Sequence, residues 1–274
     1  MRVNEVDLCV ETFGDPGDPP ILLIMGSGAS MDFWEDGFCR RLRDGGRFVI
    51  RYDHRDTGQS VAYAPGKPEY TGDDLVSDAA GVIEAVGLTS VHVVGMSMGG
   101  ALAQLVALEH PARVRTLTLI STTAIASGDD LPGIDDRLKA AFAVPRPDVA
   151  DRPALLDYLT DFSAAHASAA RPFDRIGARA LWERALGRAR NVESMLGNHD
   201  LLAGGAASGH RLDEITVPTL IIHGTDDPLF PLEHGVALAR AIPNADLLQL
   251  DDSGHELPRR TWDVVVPAIL EHTS

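Results

Sequence analysis

The order of apolar and polar positions predicts alternating strands and helices over the first 121 residues. Four short, continuous apolar runs are typical of strands that are buried on both faces. Helix-like segments separate these runs, and alternation at residues 6–10 predicts an antiparallel strand with one wet face. This order indicates a mostly parallel sheet with helices on both faces. The apolar runs lie at residues 21–24, 48–52, 91–94 and 114–121, and the helix-like segments at 33–44, 73–86 and 101–109.

The pattern changes after residue 121. Up to residue 212 the chain has no convincing strand, but it has helix-like stretches at 137–144, 153–168 and 173–202. Strand-like runs then return, and they alternate again with helix-like segments. The sequence therefore predicts an α/β core made of residues 1–121 and 213–274, with a helical insertion at 122–212. The later strands lie at 219–223 and 247–250, and the later helices at 232–241 and 261–271.

Charge separates the insertion from the core and excludes two classes of partner. The whole chain has 40 acidic and 24 basic residues, for a net charge of −16. Nucleic acid and anionic membrane surfaces would be repelled, so we expect neither as a partner. The predicted insertion has 12 acidic and 11 basic residues, so almost all of the negative charge lies in the predicted core.

Cysteine content and hydropathy predict the cellular setting. Only two cysteines are present, Cys9 and Cys39, and both lie in apolar segments. We expect buried thiols in a cytoplasmic protein rather than a disulfide. No apolar run approaches the roughly 20 residues of a membrane span, and no apolar stretch follows the first residues. We therefore expect neither a membrane helix nor a secretory signal.

The strongest chemical motif is Gly95-Met96-Ser97-Met98-Gly99, which lies between a predicted strand and a predicted helix. A serine in this strand–turn–helix context stands at the tip of a tight turn, where it is exposed as a nucleophile. Flanking glycines allow unusual backbone angles and close packing of the helix on the strand. The alternative is a glycine-rich turn without a reactive serine.

A serine nucleophile needs a general base, and ten histidines are available. His255 follows the last predicted strand, at the sheet edge where catalytic groups of open α/β sheets gather. His54 also follows a strand and is the main alternative, although it precedes the serine in the chain. We expect the others to be structural: His92 and His223 in strands, His110 at a helix end, and His166, His199, His210, His234 and His272 at the surface.

The orienting acid is predicted in the loop after the strand at 219–223. Asp227 is favoured over Asp226, because Pro228 biases the residue before it toward an extended backbone at the loop tip. Asp226 is typical of a turn former. Asp251 and Asp252 also lie near His255 in sequence, but they are expected in a solvated turn.

The order Ser97, Asp227, His255 resembles the α/β-hydrolase superfamily over nearly the whole chain. The resemblance also rests on residues 224–227, 253–255 and 53–60. Asp56 departs from the family, which usually has glycine at this position, and the role of His54 stays open. The resemblance implies an α/β-hydrolase fold with these residues as its catalytic triad. Because the insertion leaves the sheet at the edge where these three residues follow their strands, we expect it to form a helical cap over them.

The segment Met25-Gly26-Ser27-Gly28 lies where the family has its oxyanion loop, often with histidine in place of Met25. By this resemblance, the backbone N–H groups of Ser27 and Met98 form the oxyanion hole. Such a hole needs two donors aimed at the developing negative charge. A plain glycine-rich turn is the alternative.

Residues 51–58 and 23–26 are similar to the aclacinomycin methylesterase group, whose members hydrolyse a methyl ester on a polyketide glycoside. The expected function is therefore a serine hydrolase that cleaves a carboxylic ester, with a methyl ester as the narrower expectation, through an acyl-enzyme. Hydrolysis of a C–C bond, lactone or amide by the same triad stays open, as does a hydrolase-like ligand receptor. No metal or organic cofactor is expected, because no His/Cys cluster has zinc spacing and residues 26–28 lack the rest of a dinucleotide fingerprint.

The expected substrate is a small apolar or aromatic ester, and the sequence leaves the oligomeric state open. Apolar side chains of the insertion could form the roof of a substrate pocket. We nevertheless expect most of them to pack against the sheet domain. These side chains are Leu138, Phe142, Leu155, Leu159, Phe162, Leu181 and Trp182.

Overall fold

A seven-stranded sheet forms the centre of the protein, in a computed structural model that describes residues 1–125, 130–202 and 211–274. A separate ribbon consists of β1 (Arg2–Val3) and β2 (Val6–Asp7). The main sheet contains β3 (Val10–Phe13), β4 (Pro20–Ile24), β5 (Phe48–Tyr52), β6 (Val91–Met96), β7 (Val114–Ile120), β8 (Thr219–Gly224) and β9 (Ala245–Leu250). Their order is β3-β5-β4-β6-β7-β8-β9, and only β3 runs antiparallel to its neighbour. The predicted α/β fold with a mostly parallel sheet is confirmed.

The prediction of one strand at residues 6–10 is wrong. β2 ends at Asp7 and pairs back on β1, whereas β3 begins at Val10 and pairs with β5. Asn4 and Glu5 both have positive φ, which turns the chain sharply between β1 and β2. The alternating pattern therefore spans two strands in two sheets, because the tight turn fixes the pairing locally.

Helices cover both faces of the main sheet. The long helices of the core are α1 (Asp36–Asp44), α2 (Gly72–Ala85) and α3 (Met98–Glu109). Between β7 and β8 lie α4 (Asp136–Phe142), α5 (Arg152–His166), α6 (Arg175–Arg188) and α7 (Val192–Met195), and the last helices are α8 (Leu232–Ala241) and α9 (Trp262–His272). Leu22 and Ile24 of β4 pack with α2, α3 and α8, whereas Ile21 and Leu23 pack with α1 and α9. Because successive side chains of a strand point to opposite faces of the sheet, β4 contributes to two apolar cores.

The helices between β7 and β8 have an apolar cluster of their own. Leu155 and Leu159 of α5 pack with Trp182 of α6 and Met195 of α7. The expectation that most apolar side chains here would pack against the sheet domain is therefore wrong. A helix needs only one apolar stripe to be covered, and here the helices cover one another. The division into a core and an insertion at 122–212 stays a prediction, and residues 126–129 and 203–210 lie outside the described residues.

The predicted helix over residues 173–202 is interrupted. α6 ends at Arg188, and the side chain of Asn191 then accepts hydrogen bonds from the N–H groups of Glu193 and Ser194, both at 3.1 Å. This N-cap begins α7 as a separate helix. The interruption lets the segment after α7 approach the loops that follow β4 and β5.

Both cysteines are free thiols. Cys39 is buried, and burial raises its pKa to about 12. Cys9 is only partly buried, which corrects the expectation of two buried thiols. Its Sγ lies 3.8 Å from the guanidinium of Arg188, so a polar group of α6 reaches this segment. Within the described ranges, no helix is long and apolar enough to span a membrane.

Candidate active site

Ser97 lies in a strained turn between β6 and α3. Its φ of 55° and ψ of −123° are rare for a residue with a Cβ, and strain of this kind costs about 1–3 kcal/mol. The turn is compact, because a Cβ on Gly95 would clash with the carbonyl of Gly99, and one on Gly99 would clash with Ile24. The two glycines of the motif are therefore explained by close backbone packing.

The structure brings Ser97, His255 and Asp227 together in one hydrogen-bonded chain. His255 Nε2 lies 2.9 Å from Ser97 Oγ, and His255 Nδ1 lies 2.9 Å from Asp227 Oδ2. Since a carboxylate only accepts, Nδ1 carries a proton, and Nε2 of the neutral ring is free to take the serine proton. This is the arrangement that activates a serine hydroxyl.

Asp227 is held as an anion by its surroundings. Its other oxygen, Oδ1, accepts hydrogen bonds from the N–H groups of Leu229 and Phe230, both at 2.9 Å. Burial raises the pKa of Asp227, but the electrostatic interaction and hydrogen bond with His255 and the backbone hydrogen bond from Phe230 outweigh burial, so the pKa of Asp227 lies below its usual range.

The neighbouring Asp226 has a different set of contacts. Its Oδ2 accepts hydrogen bonds from Ser168 Oγ and from the N–H of Ala169, both at 2.7 Å. Both partners lie just after α5. The two adjacent carboxylates are therefore separated: Asp227 contacts the histidine, and Asp226 contacts the segment between α5 and α6.

His54, the alternative base, is fully buried and lies on the loop after β5. Its Nε2 donates a hydrogen bond to the carbonyl of Met25 at 3.0 Å, and its Nδ1 has no partner among the described residues. Burial and the neighbouring His199 lower the pKa of His54 to about 3, so the ring is neutral at pH 7. In this structure, therefore, His255 and not His54 contacts Ser97.

The two residues predicted to supply oxyanion donors both lie near Ser97. Met98 is the first residue of α3, so its N–H has no acceptor within the helix. Ser27 lies on the loop after β4 and lines the same cavity as Ser97. In that loop a Cβ on Gly26 would lie 3.2 Å from the Cβ of Ser97, so the loop backbone comes close to the serine.

His199 holds the loop after β4 from the other side. The N–H of Gly28 donates to His199 Nδ1 at 3.1 Å, and His199 Nε2 donates to the carbonyl of Arg55 at 2.9 Å. Burial lowers the pKa of His199, which preserves the acceptor at Nδ1. A residue just after α7 therefore bridges the predicted oxyanion loop and the loop after β5.

Several other histidines are also less exposed than predicted, because long-range contacts surround them. His199 and His234 are buried, and His166 and His272 are partly buried. His210 lies outside the described residues. Sequence spacing carried no signal for His199, since its partners lie more than 140 positions away.

Asp56, which departs from the family pattern, has a defined role in the loop after β5. Its φ is +66°, a region that favours glycine but that aspartate tolerates. Its carboxylate accepts hydrogen bonds from Tyr70 Oη, Asn198 Nδ2 and the N–H of Tyr63, at 2.8, 2.8 and 2.6 Å. The carboxylate therefore ties this loop to the segment after α7.

A cavity of about 980 Å³ opens above Ser97. Its wall contains Ser97, His255 and the loop after β4, together with many residues of α4–α7. Five of the apolar residues considered from sequence line it, and they are Phe142, Leu159, Phe162, Leu181 and Trp182. Leu138 and Leu155 are instead fully buried. A volume of this size suits a drug-sized molecule with large apolar surfaces.

Charges around the cavity are balanced. Four acidic and four basic side chains line it. Three of the arginines already have carboxylate partners, since Arg259 pairs with Glu35, Arg171 with Asp252 and Arg260 with Glu256. Among the described residues, no group of three or more potential metal ligands is present. The site therefore combines a serine–histidine–aspartate chain with a largely apolar chamber whose acidic and basic side chains balance.

The chain is similar to known proteins over nearly its whole length. A family model described as the alpha/beta hydrolase fold matches residues 19–258. The rhodomycin D methylesterases of Streptomyces sp. (strain C5) and Streptomyces peucetius are 35% and 33% identical to this chain, and each alignment covers 98% of the chain and 96% of the relative. The meta-cleavage product hydrolase of Pseudomonas fluorescens IP01 superposes with a TM-score of 0.77 at 20% identity, over 99% of this chain and 96% of that one.

Proposed function

This chain belongs to the α/β-hydrolase fold family and is a hydrolase that acts on ester bonds, and from that premise we propose that Ser97 is its nucleophile. One observation carries the proposal: His255 lies at hydrogen-bond distance from both Ser97 and Asp227 at the floor of an apolar cavity. The substrate that this site fits best is a neutral carboxylic ester of an apolar or aromatic molecule.

The first half of the reaction forms an acyl-enzyme. Ser97 Oγ attacks the ester carbonyl carbon while His255 Nε2 takes the hydroxyl proton. The imidazolium is stabilised by the Asp227 carboxylate, whose pKa is held low. The carbonyl oxygen becomes an oxyanion and accepts hydrogen bonds from the N–H groups of Ser27 and Met98. The tetrahedral intermediate then collapses, and His255 gives its proton to the departing alcohol.

The second half reverses the roles around one water molecule. His255 Nε2 takes a proton from water as the water oxygen attacks the acyl carbon. When the second tetrahedral intermediate collapses, the proton returns to Ser97 Oγ and the acid leaves. One ester and one water are therefore converted into one acid and one alcohol, and the enzyme regains its starting state.

The cavity supports an apolar or aromatic substrate. Phe162, Leu181 and Trp182 line the same chamber as Ser97 and the loop after β4, and they give it apolar surface. Phe33 packs edge-on against Trp182 at 4.8 Å between ring centroids, so these walls are fixed. Apolar walls provide most of the binding free energy in such chambers, and a few polar groups orient the ligand.

The relatives favour a methyl ester as the scissile group. Two methylesterases match this chain over nearly their full lengths. In a methyl ester the acyl group is the large part of the substrate, and it fills the cavity. The leaving group is methanol, which needs little space beside His255. We also assign α4–α7 the role of a cap over the active site.

The test is active-site labelling combined with an ester panel. A fluorophosphonate should label wild type at Ser97, and Ser97→Ala should remove labelling and turnover together. Ser77→Ala, on the exposed side of α2, is the matched serine control and should keep both. Methyl and p-nitrophenyl esters of increasing acyl size should show multiple turnovers. Labelling of Ser97→Ala at another residue would overturn the nucleophile, and binding without turnover would indicate a ligand receptor.

A further inference from the structure

His166 forms part of the cavity wall beside the proposed base. It is the last residue of α5, and its ring centroid lies 5.9 Å from that of His255. Its backbone carbonyl accepts a hydrogen bond from the N–H of His255 at 2.8 Å. A Cβ on Gly254 would clash with this same backbone, so the two segments are in close contact. The ring of His166 is therefore held at a fixed position next to the reacting groups.

The hydrogen bonds of His166 define which nitrogen carries the proton. Nδ1 lies 2.8 Å from the carbonyl oxygen of Phe162, one turn earlier in α5. Because a carbonyl oxygen can only accept, Nδ1 must be the donor. In the neutral ring Nε2 then has no proton, and it can act only as a hydrogen-bond acceptor.

This acceptor is neutral and available. Burial lowers the pKa of His166 to about 4, so the ring carries no charge at pH 7. Among the described residues, no donor bonds Nε2. Some histidine nitrogens of the described residues are fully buried and have no hydrogen-bond partner, for example His54 Nδ1 and His223 Nδ1. His166 Nε2 is not among these buried atoms. Since His166 lines the cavity, its Nε2 is open to a bound molecule.

We propose that His166 Nε2 accepts a hydrogen bond from a hydroxyl or N–H group of the substrate, close to the scissile ester. The inference rests on the proposed ester hydrolysis and deepens it. The substrate class becomes an apolar or aromatic ester that carries a hydrogen-bond donor a few bonds from its carbonyl carbon. Without such a donor, binding would remove water from Nε2 and leave the nitrogen without a partner, which lowers affinity.

Matched esters isolate this contact. The first series is methyl phenylacetate with H, OH or OCH₃ on its α carbon. The second series is methyl 3-phenylpropanoate with the same three substituents on its β carbon. Hydroxyl and methoxyl groups withdraw electrons similarly, but only the hydroxyl donates. We expect wild type to have a kcat/KM about tenfold higher for the hydroxy ester than for the methoxy ester in at least one series.

Two substitutions of His166 separate the acceptor from the packing. Glutamine can reach the position of Nε2 with its carbonyl oxygen, so His166→Gln should keep most of the hydroxyl preference. Asparagine can still donate to the carbonyl of Phe162 but ends short of Nε2, so His166→Asn should lower the ratio to about 1. Leu181→Ala changes the same cavity without touching this acceptor and should leave the ratio as in wild type.

The measured quantity is kcat/KM for the hydroxy ester divided by kcat/KM for the methoxy ester, both on one enzyme preparation. A variant that folds less completely lowers both values equally, so the ratio does not change. Fluorophosphonate titration counts active sites first. If wild type is not labelled and hydrolyses no ester, the proposed function itself fails. If wild type turns over both esters but treats hydroxyl and methoxyl alike, the inference is overturned. A hydroxyl preference that survives in His166→Asn would also overturn it, because another group would then accept the bond.

Discussion

Two adjacent aspartates show how strongly a role depends on the direction of one side chain. Asp227 points to His255 and to two backbone N–H groups, whereas Asp226 points to the segment after α5. Their sequence neighbourhood is almost the same. Because their side chains point in different directions, Asp227 orients a base and Asp226 holds two segments together.

This separation predicts unequal effects of two matched substitutions. Asp227→Asn removes the charge that stabilises the imidazolium, and loss of the orienting acid costs about 10⁴-fold in kcat in a well-studied triad. We therefore expect a decrease of a few powers of ten. Asp226→Asn keeps one acceptor for Ser168 and Ala169 and should lower kcat less than tenfold. Steady-state kinetics on one methyl ester compares the two, and a larger loss in Asp226→Asn would reverse the assignment.

The residues of the site differ in how far sequence can predict them. Ser97 lies in a local pattern, and the order of acid and base after the later strands points to Asp227 and His255. His199 bonds Gly28 and Arg55, and Asp56 bonds Asn198 besides two nearby tyrosines; Gly28, Arg55 and Asn198 each lie more than a hundred positions from the residue they bond. Such contacts leave no periodicity in the chain, since they depend on how complete elements pack.

At the scale of elements, α6 is attached to the sheet domain through charged side chains. Arg188 contacts the buried carboxylates of Asp32 and Asp53, and its Nη2 lies 2.9 Å from Asp53 Oδ2. Arg184, one turn earlier, lies 2.7 Å from the other oxygen of Asp32. The pattern of apolar positions predicts the helices but not these ion pairs. Charge pairs therefore add to the apolar contact of Trp182 with Phe33 in fixing the position of α6.

Removing Arg188 should destabilise the protein strongly. Arg188→Met leaves two buried carboxylates without this partner, and breaking a buried pair costs about 3–5 kcal/mol. Asp53 keeps hydrogen bonds from the N–H groups of Met31 and Gln59, so we expect about 3 kcal/mol. Urea denaturation of wild type and variant measures the free energy of unfolding.

Arg179→Met is the matched control on the same helix. Its partner Asp157 is exposed, and exposed pairs contribute about 0–1 kcal/mol. Equal losses of stability in the two variants would contradict the docking role of Arg188.

At the scale of the whole molecule, buried neutral histidines make the fold sensitive to acid. Burial lowers the pKa of His54 to about 3 and those of His92 and His166 to about 4. The unfolded chain binds protons on these rings below about pH 6.5, whereas the folded chain does not until pH 4 or lower. Unfolding therefore takes up protons in this window, and stability falls as the pH falls from 6.5 to 4.

Each such proton contributes about 1.4 kcal/mol per pH unit to the slope. We expect urea denaturation at pH 7, 6 and 5 to show a falling free energy of unfolding. His54→Asn removes one of the three rings, so its slope between pH 6 and 5 should be smaller than that of wild type by up to this amount. An unchanged slope would show that His54 is already protonated in the fold.

The overall charge adds a prediction about substrates. The chain carries a net charge of −16, while the acidic and basic side chains around the cavity balance. An anionic ester is therefore repelled during approach and finds no surplus cation in the chamber. We expect kcat/KM for a neutral diester, such as dimethyl adipate, to exceed that for its anionic half-ester at least tenfold. Added salt should narrow the difference by screening. Equal rates for the two esters at low salt would contradict this prediction.

The hydrogen bond from the His255 N–H to the carbonyl of His166 also limits which segments recombination can exchange during evolution. The stretch from α4 through His199 is contiguous in the chain, so recombination could replace it in one event. The loop of the proposed base would then meet a foreign backbone at Gly254, and the loop after β4 would lose His199. We expect chimeras that exchange this stretch alone to be inactive. Those that also exchange residues 253–256 and the loops after β4 and β5 should regain turnover, so substrate range evolves here in linked sets of segments.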